Sequence, residues 1–345
     1  MTRKHDVIIV GGGAVGLYAA SLLEKSLDVL VVERQKTIGH KVCSGLVSVN
    51  VDGFVDPGDS VEHKVSGALL HSPGGATVGL KKKSAAAYVI DRKRFDRLLA
   101  GRLSCHLKTG VPAREIRSGP EGITVKTGKG DFKSEIVIGC DGAGSVVRNH
   151  MSRKPSETLT GLIAITPEKN SSDHVDLFFD KNFVKDGFFW KIPRGRATEY
   201  GAMGSAISFQ TIESFFKIKN YEKQAAPIPL GPPKTFADRA LLIGDSAAQV
   251  KPWSGGGVVF GFTAAKIAAG VLKTCFQEND FTAEALSSYE LEWRNKIGKE
   301  IGFGLMGREM LKDLTNRQLD GLFNKIQGHR LSHLDMDFPV FSSLG

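Results

Sequence analysis

The feature that most constrains this chain is Gly11-x-Gly13-x-x-Gly16, which follows the apolar run Asp6–Val10 and opens the helical pattern Ala14–Lys25. Leu17, Leu22 and Leu23 recur among alanines in that pattern, and a second β-branched run, Asp28–Val32, follows it. Strand, glycine turn, helix and strand in about 30 residues is the size of a βαβ unit. In such a unit the first glycine permits the tight turn. The second lets a pyrophosphate approach the backbone, and the third lets helix and strand pack closely. The helix start offers free N–H groups and a positive dipole end to the phosphate. Glu33 closes the second strand, where an acid can accept hydrogen bonds from a ribose diol and disfavours a 2′-phosphate. Glycines, strand, helix and acid in register predict a dinucleotide site and argue against NADP as its occupant.

Further along, Val65–Val78 alternates around a Pro73-Gly74-Gly75 turn and reads as a hairpin. Arg92–Leu103 is an amphipathic helix with Phe95, Leu98, Leu99 and Leu103 on one face. Ile123–Val125 and Ile136–Ile138 read as strands. Thr158–Ser208 is strand-rich and aromatic, with Phe178, Phe179, Phe188, Phe189 and Trp190, and a proline-rich stretch, Pro227–Pro233, follows. Ala240–Ile243 is a buried strand, Gly256–Cys275 a long helix, and Ala283–Leu311 and Asn316–Ile326 are further helical patterns. The order predicts an α/β fold (α+β overall). A Rossmann-type, discontinuous nucleotide-binding domain takes residues 1–60, 87–150 and 236–276. An inserted antiparallel β-rich substrate domain takes 61–86 and 151–235, and a C-terminal helical region takes 277–345.

Three later pieces select the dinucleotide. Ile138-Gly139-Cys140-Asp141-Gly142 is a strand entering an Asp-Gly turn, and Leu241-Leu242-Ile243-Gly244-Asp245 a strand entering a Gly-Asp turn. Pro252 and the triple glycine Gly255-Gly256-Gly257 then open a helix at Val258. Asp245 can accept a bond from a ribityl hydroxyl, and the helix after Gly257 can aim its positive end at a flavin N1–C2=O edge, where reduced flavin is negative. Together they predict FAD.

With these pieces the chain resembles the geranylgeranyl reductase family of FAD-dependent oxidoreductases, within the p-hydroxybenzoate hydroxylase-like fold, from Val7 to about Leu272. Gly11, Gly13, Gly16 and Glu33 match the family's FAD fingerprint, and the resemblance extends the contact set to Ala14 and Arg34. Cys43-Ser44-Gly45-Leu46 resembles its cysteine–glycine segment beside the flavin. Tyr88–Arg92 with Phe95-Asp96 resembles its R-x-x-F-D helix start, which implies that Arg92 contacts FAD and that Val111 lies near the adenine. Asp141, Gly244, Asp245, Gly256, Gly257 and Val258 match the remaining flavin contacts. Phe188-Phe189-Trp190-Lys191-Ile192-Pro193 is similar to the family's Y-x-W-x-F-P, with Phe188 for the tyrosine and Ile192 for the phenylalanine. The later G-x-G is here Gly201-Ala202-Met203-Gly204.

The resemblance implies that Phe188, Trp190 and Pro193 line a pocket for an isoprenoid lipid. The implied reaction is hydride transfer from reduced flavin to an isolated double bond, in which the proton donor matters because such alkenes accept hydride poorly. Cys43 is the catalytic candidate for that proton; the alternative is a small residue that packs on the cofactor. Two other readings stand beside this one: an FAD monooxygenase of the same fold acting on an apolar substrate, and a non-catalytic flavin-binding protein. Ferredoxin, a reduced deazaflavin and NAD(P)H all remain open as electron donor.

The net charge of +9 favours anionic partners. No helix is densely basic and no zinc-finger spacing is present, which argues against nucleic acid. His40, His63, His71, His106, His150 and His174 show no metal-ligand spacing. Lys81-Lys82-Lys83 could touch anionic lipid headgroups, leaving room for a peripheral membrane contact. Cys43, Cys105, Cys140 and Cys275 form no CxxC pair, the first apolar run is cut by glycines, and a reduced cytoplasmic setting is expected. Gly255–Leu272 is apolar but carries Lys266 and many small residues, so it reads as a buried helix, not a membrane span.

Overall fold

The structure, a computed structural model, describes residues 3–328 and 334–339. The chain begins with β1 (Lys4–Val10), α1 (Ala14–Leu23), β2 (Val29–Glu33), β3 (Leu46–Ser48), β4 (Val61–Val65), β5 (Gly67–His71), β6 (Thr77–Lys81), β7 (Ala87–Ile90) and α2 (Arg92–Gly101). Then come β8 (His106–Thr109), β9 (Ala113–Gly119), β10 (Gly122–Thr127), β11 (Gly130–Gly139), α3 (Val146–His150), β12 (Glu157–Thr166), β13 (His174–Phe178), β14 (Phe188–Pro193) and β15 (Thr198–Gly204). It ends with α4 (Phe209–Phe216), β16 (Glu222–Leu230), β17 (Phe236–Ala237), β18 (Ala240–Leu242), α5 (Val258–Glu278), α6 (Ala283–Trp293), α7 (Lys299–Lys312) and α8 (Asn316–Ile326).

An eight-stranded sheet runs β17-β18-β11-β1-β2-β8, with β10 on β11 and β9 on β10. Its centre, from β18 to β8, is parallel. β1 lies in the middle because Val7, Ile8 and Ile9 are apolar on consecutive positions and all fully buried, as a strand covered on both faces requires. α1 and α5 cover one face through Leu17, Ala20, Phe262, Ala265 and Leu272. The hairpin of β9 and β10, with α3, covers the other through Ile116, Val125 and Val147. α5 is long and apolar enough to cross a membrane, yet 61% of its most apolar window is buried inside the protein. It is the core helix expected at Gly255–Leu272.

The expected Rossmann-type α/β architecture, its inserted β-rich layer and its C-terminal helices are all present. The inserted sheet differs in one respect. Its seven strands, β16-β12-β15-β14-β13-β5-β6, are not wholly antiparallel: β5 and β13 pair in parallel. The reason is topological, since the hairpin of β5 and β6 comes from far earlier in the chain and joins the outer side of β13. β4 pairs instead with β7 in a separate three-stranded sheet, β3-β7-β4.

The first part of the proline-rich stretch, Pro227 to Leu230, is the end of the strand β16. It can be a strand because it is the sheet's outer member, bonded only to β12. Prolines two apart put their missing N–H groups on the same, unbonded side. α6 continues through one π-helical turn, Arg294–Gly298, into α7, so the single helical pattern expected from Ala283 to Leu311 holds a local widening. α4, a helix with a Ser208–Thr211 capping box, follows directly on the strand-rich stretch Thr158–Ser208, in a segment for which no element was expected. Of the C-terminal region named above, residues 329–333 and 340–345 lie outside the described residues.

Candidate functional site

The turn between β1 and α1 is built by two glycines and left open by a third. Gly11 has φ +110°, and a Cβ there would lie 2.4 Å from the Cys140 carbonyl oxygen. A Cβ on Gly16 would lie 2.1 Å from the Gly11 oxygen. Both positions are therefore closed by backbone. A Cβ on Gly13 would meet nothing within 4 Å, so the turn presents an empty cradle there. Ala14 is the first residue of α1 and is buried. Glu33 ends β2, and its carboxylate accepts the Gly12 N–H at 2.7 Å and the Gln35 N–H at 2.7 Å. It thus ties the glycine turn to the end of β2. Arg34 beside it is exposed, and Val111 is buried with its N–H donating to the Glu33 carbonyl at 2.8 Å.

A second cluster forms where the Cys43 segment meets α2. Gly45 has φ +74°, and a Cβ there would strike the Ile90 oxygen at 2.1 Å; the Ile90 N–H donates to the Gly45 carbonyl at 2.9 Å. The segment Cys43-Ser44-Gly45 is thereby fixed to the end of β7. Arg92, on the first turn of α2, pairs with buried Asp96 at 3.0 Å and lies beside the Cys43 thiol. Lys41 reaches Asp245 at 2.7 Å and stands near the same sulfur. Burial pushes the Asp245 carboxyl up. The Lys41 ammonium, with Arg92 behind it, outweighs burial and holds it below the usual carboxylate range. Lys41 was not singled out from the sequence, because nothing local marks it and its partner is 204 positions away.

Gly244 has φ +72°, and its N–H donates to the Gln249 side chain at 2.8 Å. Gln249 in turn donates to Tyr289 of α6 at 3.0 Å, so a C-terminal helix braces the turn that presents Asp245. Asp141 accepts the Val146 N–H at 2.7 Å, while its second oxygen is buried with no partner and burial pushes its carboxyl up. A Cβ on Gly256 would lie 2.9 Å from Lys251 Cε, and one on Gly257 3.1 Å from Asp245 Oδ1, so that turn is packed tight up to Val258. Lys251 is buried and pairs with Asp337 at 2.7 Å, which pins the C-terminal segment against this turn.

Helix capping separates the two glycine turns from five other helix starts. α2, α3, α4, α6 and α8 each start with a side chain that accepts a backbone N–H: Asp91, Ser145, Ser208, Thr282 and Thr315. α1 and α5 start at Gly13 and Gly257 with no side-chain cap. Their free N–H groups and positive ends suit an anionic or electron-rich ligand. The open cradle at Gly13, the bare helix ends and the orphaned Asp141 oxygen all fit a bound dinucleotide.

β14 presents two faces. Phe189 points into a cluster with Phe215, stacked at 4.0 Å, and Tyr200. Phe188, Trp190 and Ile192 point the other way, among Val42, Leu46 and Val250, which flank the Cys43 segment and precede the triple glycine. Pro193 ends the strand opposite Thr198. Trp190 lies directly opposite Gly201, where a Cβ would stand 2.1 Å from the indole, so only glycine leaves room for the ring. The indole N–H donates to Glu199 at 2.9 Å, and Glu199 pairs with Arg194 at 2.7 Å. Arg194 also donates to the Ser44 carbonyl at 2.7 Å and pairs with Glu62 at 2.7 Å. Burial pushes the Glu199 carboxyl up to about 7 even with Arg194 beside it, because Arg194 is shared with Glu62. This network couples the Trp190 strand to the Cys43 segment. An acid inside the otherwise uncharged run Thr198–Gly204 was its one sequence signal. Of the lysine run, Lys81 pairs with Asp173 at 2.6 Å and Lys82 lies 3.8 Å from Asp335, so most of its charge is already compensated.

Residues 9–77 match a family model described as an NAD(P)-binding Rossmann-like domain. The chain is 28% identical to a digeranylgeranylglycerophospholipid reductase of Methanothrix thermoacetophila, over 96% of this chain and 94% of that one. A solved geranylgeranyl bacteriochlorophyll reductase-like protein from Thermoplasma acidophilum superposes with a TM-score of 0.89 at 18% identity, covering 99% of this chain and 96% of that one. A halogenase solved in complex with FAD shares the fold at a TM-score of 0.70 and 13% identity, over 94% of this chain and 83% of that one. The resemblance carried by the motifs thus extends over almost the whole chain.

Proposed function

We propose that this chain, a relative of the digeranylgeranylglycerophospholipid reductases, is an FAD-dependent oxidoreductase that saturates carbon–carbon double bonds of geranylgeranyl lipid chains. The observation that carries the reading is a meeting of three elements. The apolar Phe188–Trp190–Ile192 face, the Cys43 segment and the uncapped start of α5 with Asp245 converge on one region. Few other combinations would serve a redox cofactor and an apolar chain together.

Bound FAD supplies the hydride, and the residues of the chain do the rest. The Gly13 cradle and the bare start of α1 receive the pyrophosphate, and Glu33 and Val111 border the adenosine side. Asp141, Arg92 and Asp245 would hold the remainder of the dinucleotide, and the positive end of α5 would favour the negative charge of a reduced flavin. Phe188, Trp190 and Pro193 hold the isoprenoid chain and keep water away from the reacting carbons. Cys43 Sγ carries the proton for the second carbon, with the charges of Arg92 and Lys41 beside it.

The test is anaerobic. The FAD-loaded protein is reduced chemically, given a geranylgeranyl lipid, and the lipid is weighed by mass spectrometry. A gain of two hydrogens per double bond is expected. An unchanged lipid with reducible flavin present overturns the reading, and substrate-dependent oxygen uptake would then mark a monooxygenase.

A further inference from the structure

Trp253, Phe303, Met306 and Met310 are large apolar side chains left 40, 47, 53 and 69% exposed. They gather in one place. Phe303, Met306 and Met310 follow one another along α7 at i, i+3 and i+7, which puts them on one stripe. The Pro252-Trp253 turn is fitted onto the same helix. A Cβ on Gly304 would lie 2.8 Å from the Pro252 ring, and one on Gly307 would lie 2.0 Å from the Trp253 indole. The indole therefore rests on Gly307, between Phe303 one turn before it and Met310 one turn after it. The opposite side of α7 is buried through Ile301 and Gly304, so the stripe is not core.

At its N-terminal end this stripe continues into two lysines, Lys299 and Lys296. Lys296, Lys299 and Lys312 are exposed along the same helical stretch. Glu309 lies 3.8 Å from Lys312, and exposed Glu292 stands four residues before Lys296, but neither Lys296 nor Lys299 forms an ion pair among the described residues. Aromatic and methionine side chains on one face with lysines at the edge are the pattern of a helix lying in a bilayer interface, where the lysine stems reach up to the headgroups. A second copy of this chain is a poor occupant, because it would bring the same lysines, and another +9, against them.

We infer that α7 and the Pro252-Trp253 turn form a docking surface for an anionic lipid bilayer. The inference rests on the reading that the substrate is a membrane lipid, and it adds where the protein meets that membrane. Trp253 is two residues before the triple glycine that opens α5. A docked α7 would hold that turn at the bilayer surface, so a lipid chain could enter without crossing water.

Trp253 is also the reporter. The chain has three tryptophans, and the other two, Trp190 and Trp293, are 8 and 0% exposed. FAD-loaded protein is mixed with phosphatidylcholine vesicles containing roughly a third phosphatidylglycerol, with no isoprenoid present. Expected results are co-sedimentation with these vesicles, a blue shift of tryptophan emission that Trp253→Phe removes, and weaker binding to pure phosphatidylcholine. Phe303→Ser with Met306→Ser and Met310→Ser should weaken partitioning at least tenfold while circular dichroism stays unchanged. Lys296→Glu with Lys299→Glu should remove the preference for anionic vesicles and keeps the inference testable if the triple variant misfolds. Wild-type protein that stays in the supernatant with unshifted emission overturns the inference. So does a mass that doubles with concentration in the absence of vesicles and reverts in the triple variant, since the face would then belong to a second copy. Neither result bears on lipid reduction measured in detergent, so failure here is distinguishable from failure of the reductase reading.

Discussion

Glu199→Gln isolates the cost of ionising a carboxyl inside the inserted sheet. Glu199 is 0% exposed and its pKa is raised by burial from 4.5 to about 7. A raised carboxyl contributes stability that is present below the unfolded value and lost as pH climbs through the folded one. At pH 5, just above the unfolded value, roughly a quarter of the loss has occurred. At pH 8 the group is ionised in both states and the loss is nearly complete. Applying proton linkage to those two values, the wild type should lose about 2–3 kcal/mol more than the variant between pH 5 and pH 8. An amide beside Arg194 and the Trp190 indole carries its own penalty, but that penalty does not depend on pH and cancels in the comparison. Urea unfolding of both proteins at the two pH values, followed by circular dichroism, measures the difference directly. A gap that stays constant within about 0.5 kcal/mol would refute the reasoning and show Arg194 prevailing over burial, with Glu199 charged throughout.

Gly13→Val should abolish retention of FAD and leave the melting temperature of the flavin-free protein unchanged, because the cradle is open and Gly13 has ordinary extended geometry, φ −80° and ψ 173°. Gly16→Ala should instead fail to fold, since its Cβ would meet the Gly11 backbone at 2.1 Å; both are read by flavin absorbance and thermal melting. Gly201→Ala should displace the Trp190 ring, cost about 1–3 kcal/mol in urea unfolding, and shift the emission of that tryptophan. Asp337→Ala should leave Lys251 buried without its carboxylate and cost about 3–5 kcal/mol by the same measurement.

The nucleotide-binding half was legible because its signals are local. The glycines, the β-branched runs and Glu33 fall within one βαβ unit and are read by spacing alone. β16 was not legible as a strand because proline excludes a central strand but not an outer one, and sheet position cannot be seen from the strand's own residues. Gly201 was visible as a motif, but its purpose appears only when the hairpin of β14 and β15 brings it opposite Trp190. The Glu62–Arg194–Glu199 network and the Lys41–Asp245 pair join residues distant in sequence through side chains, and no periodicity encodes such meetings.

The uncapped starts of α1 and α5 have a consequence for the life of the protein outside catalysis. Each leaves N–H groups that no side chain among the described residues satisfies, while α2 and α6 are capped. A ligand that fills these ends binds the folded chain and not the unfolded one, so mass action ties folding to its free concentration. At a hundredfold excess over the dissociation constant that linkage is worth about 2.7 kcal/mol. The abundance of this protein in a cell should therefore rise and fall with the supply of the dinucleotide, even where the lipid it acts on is absent.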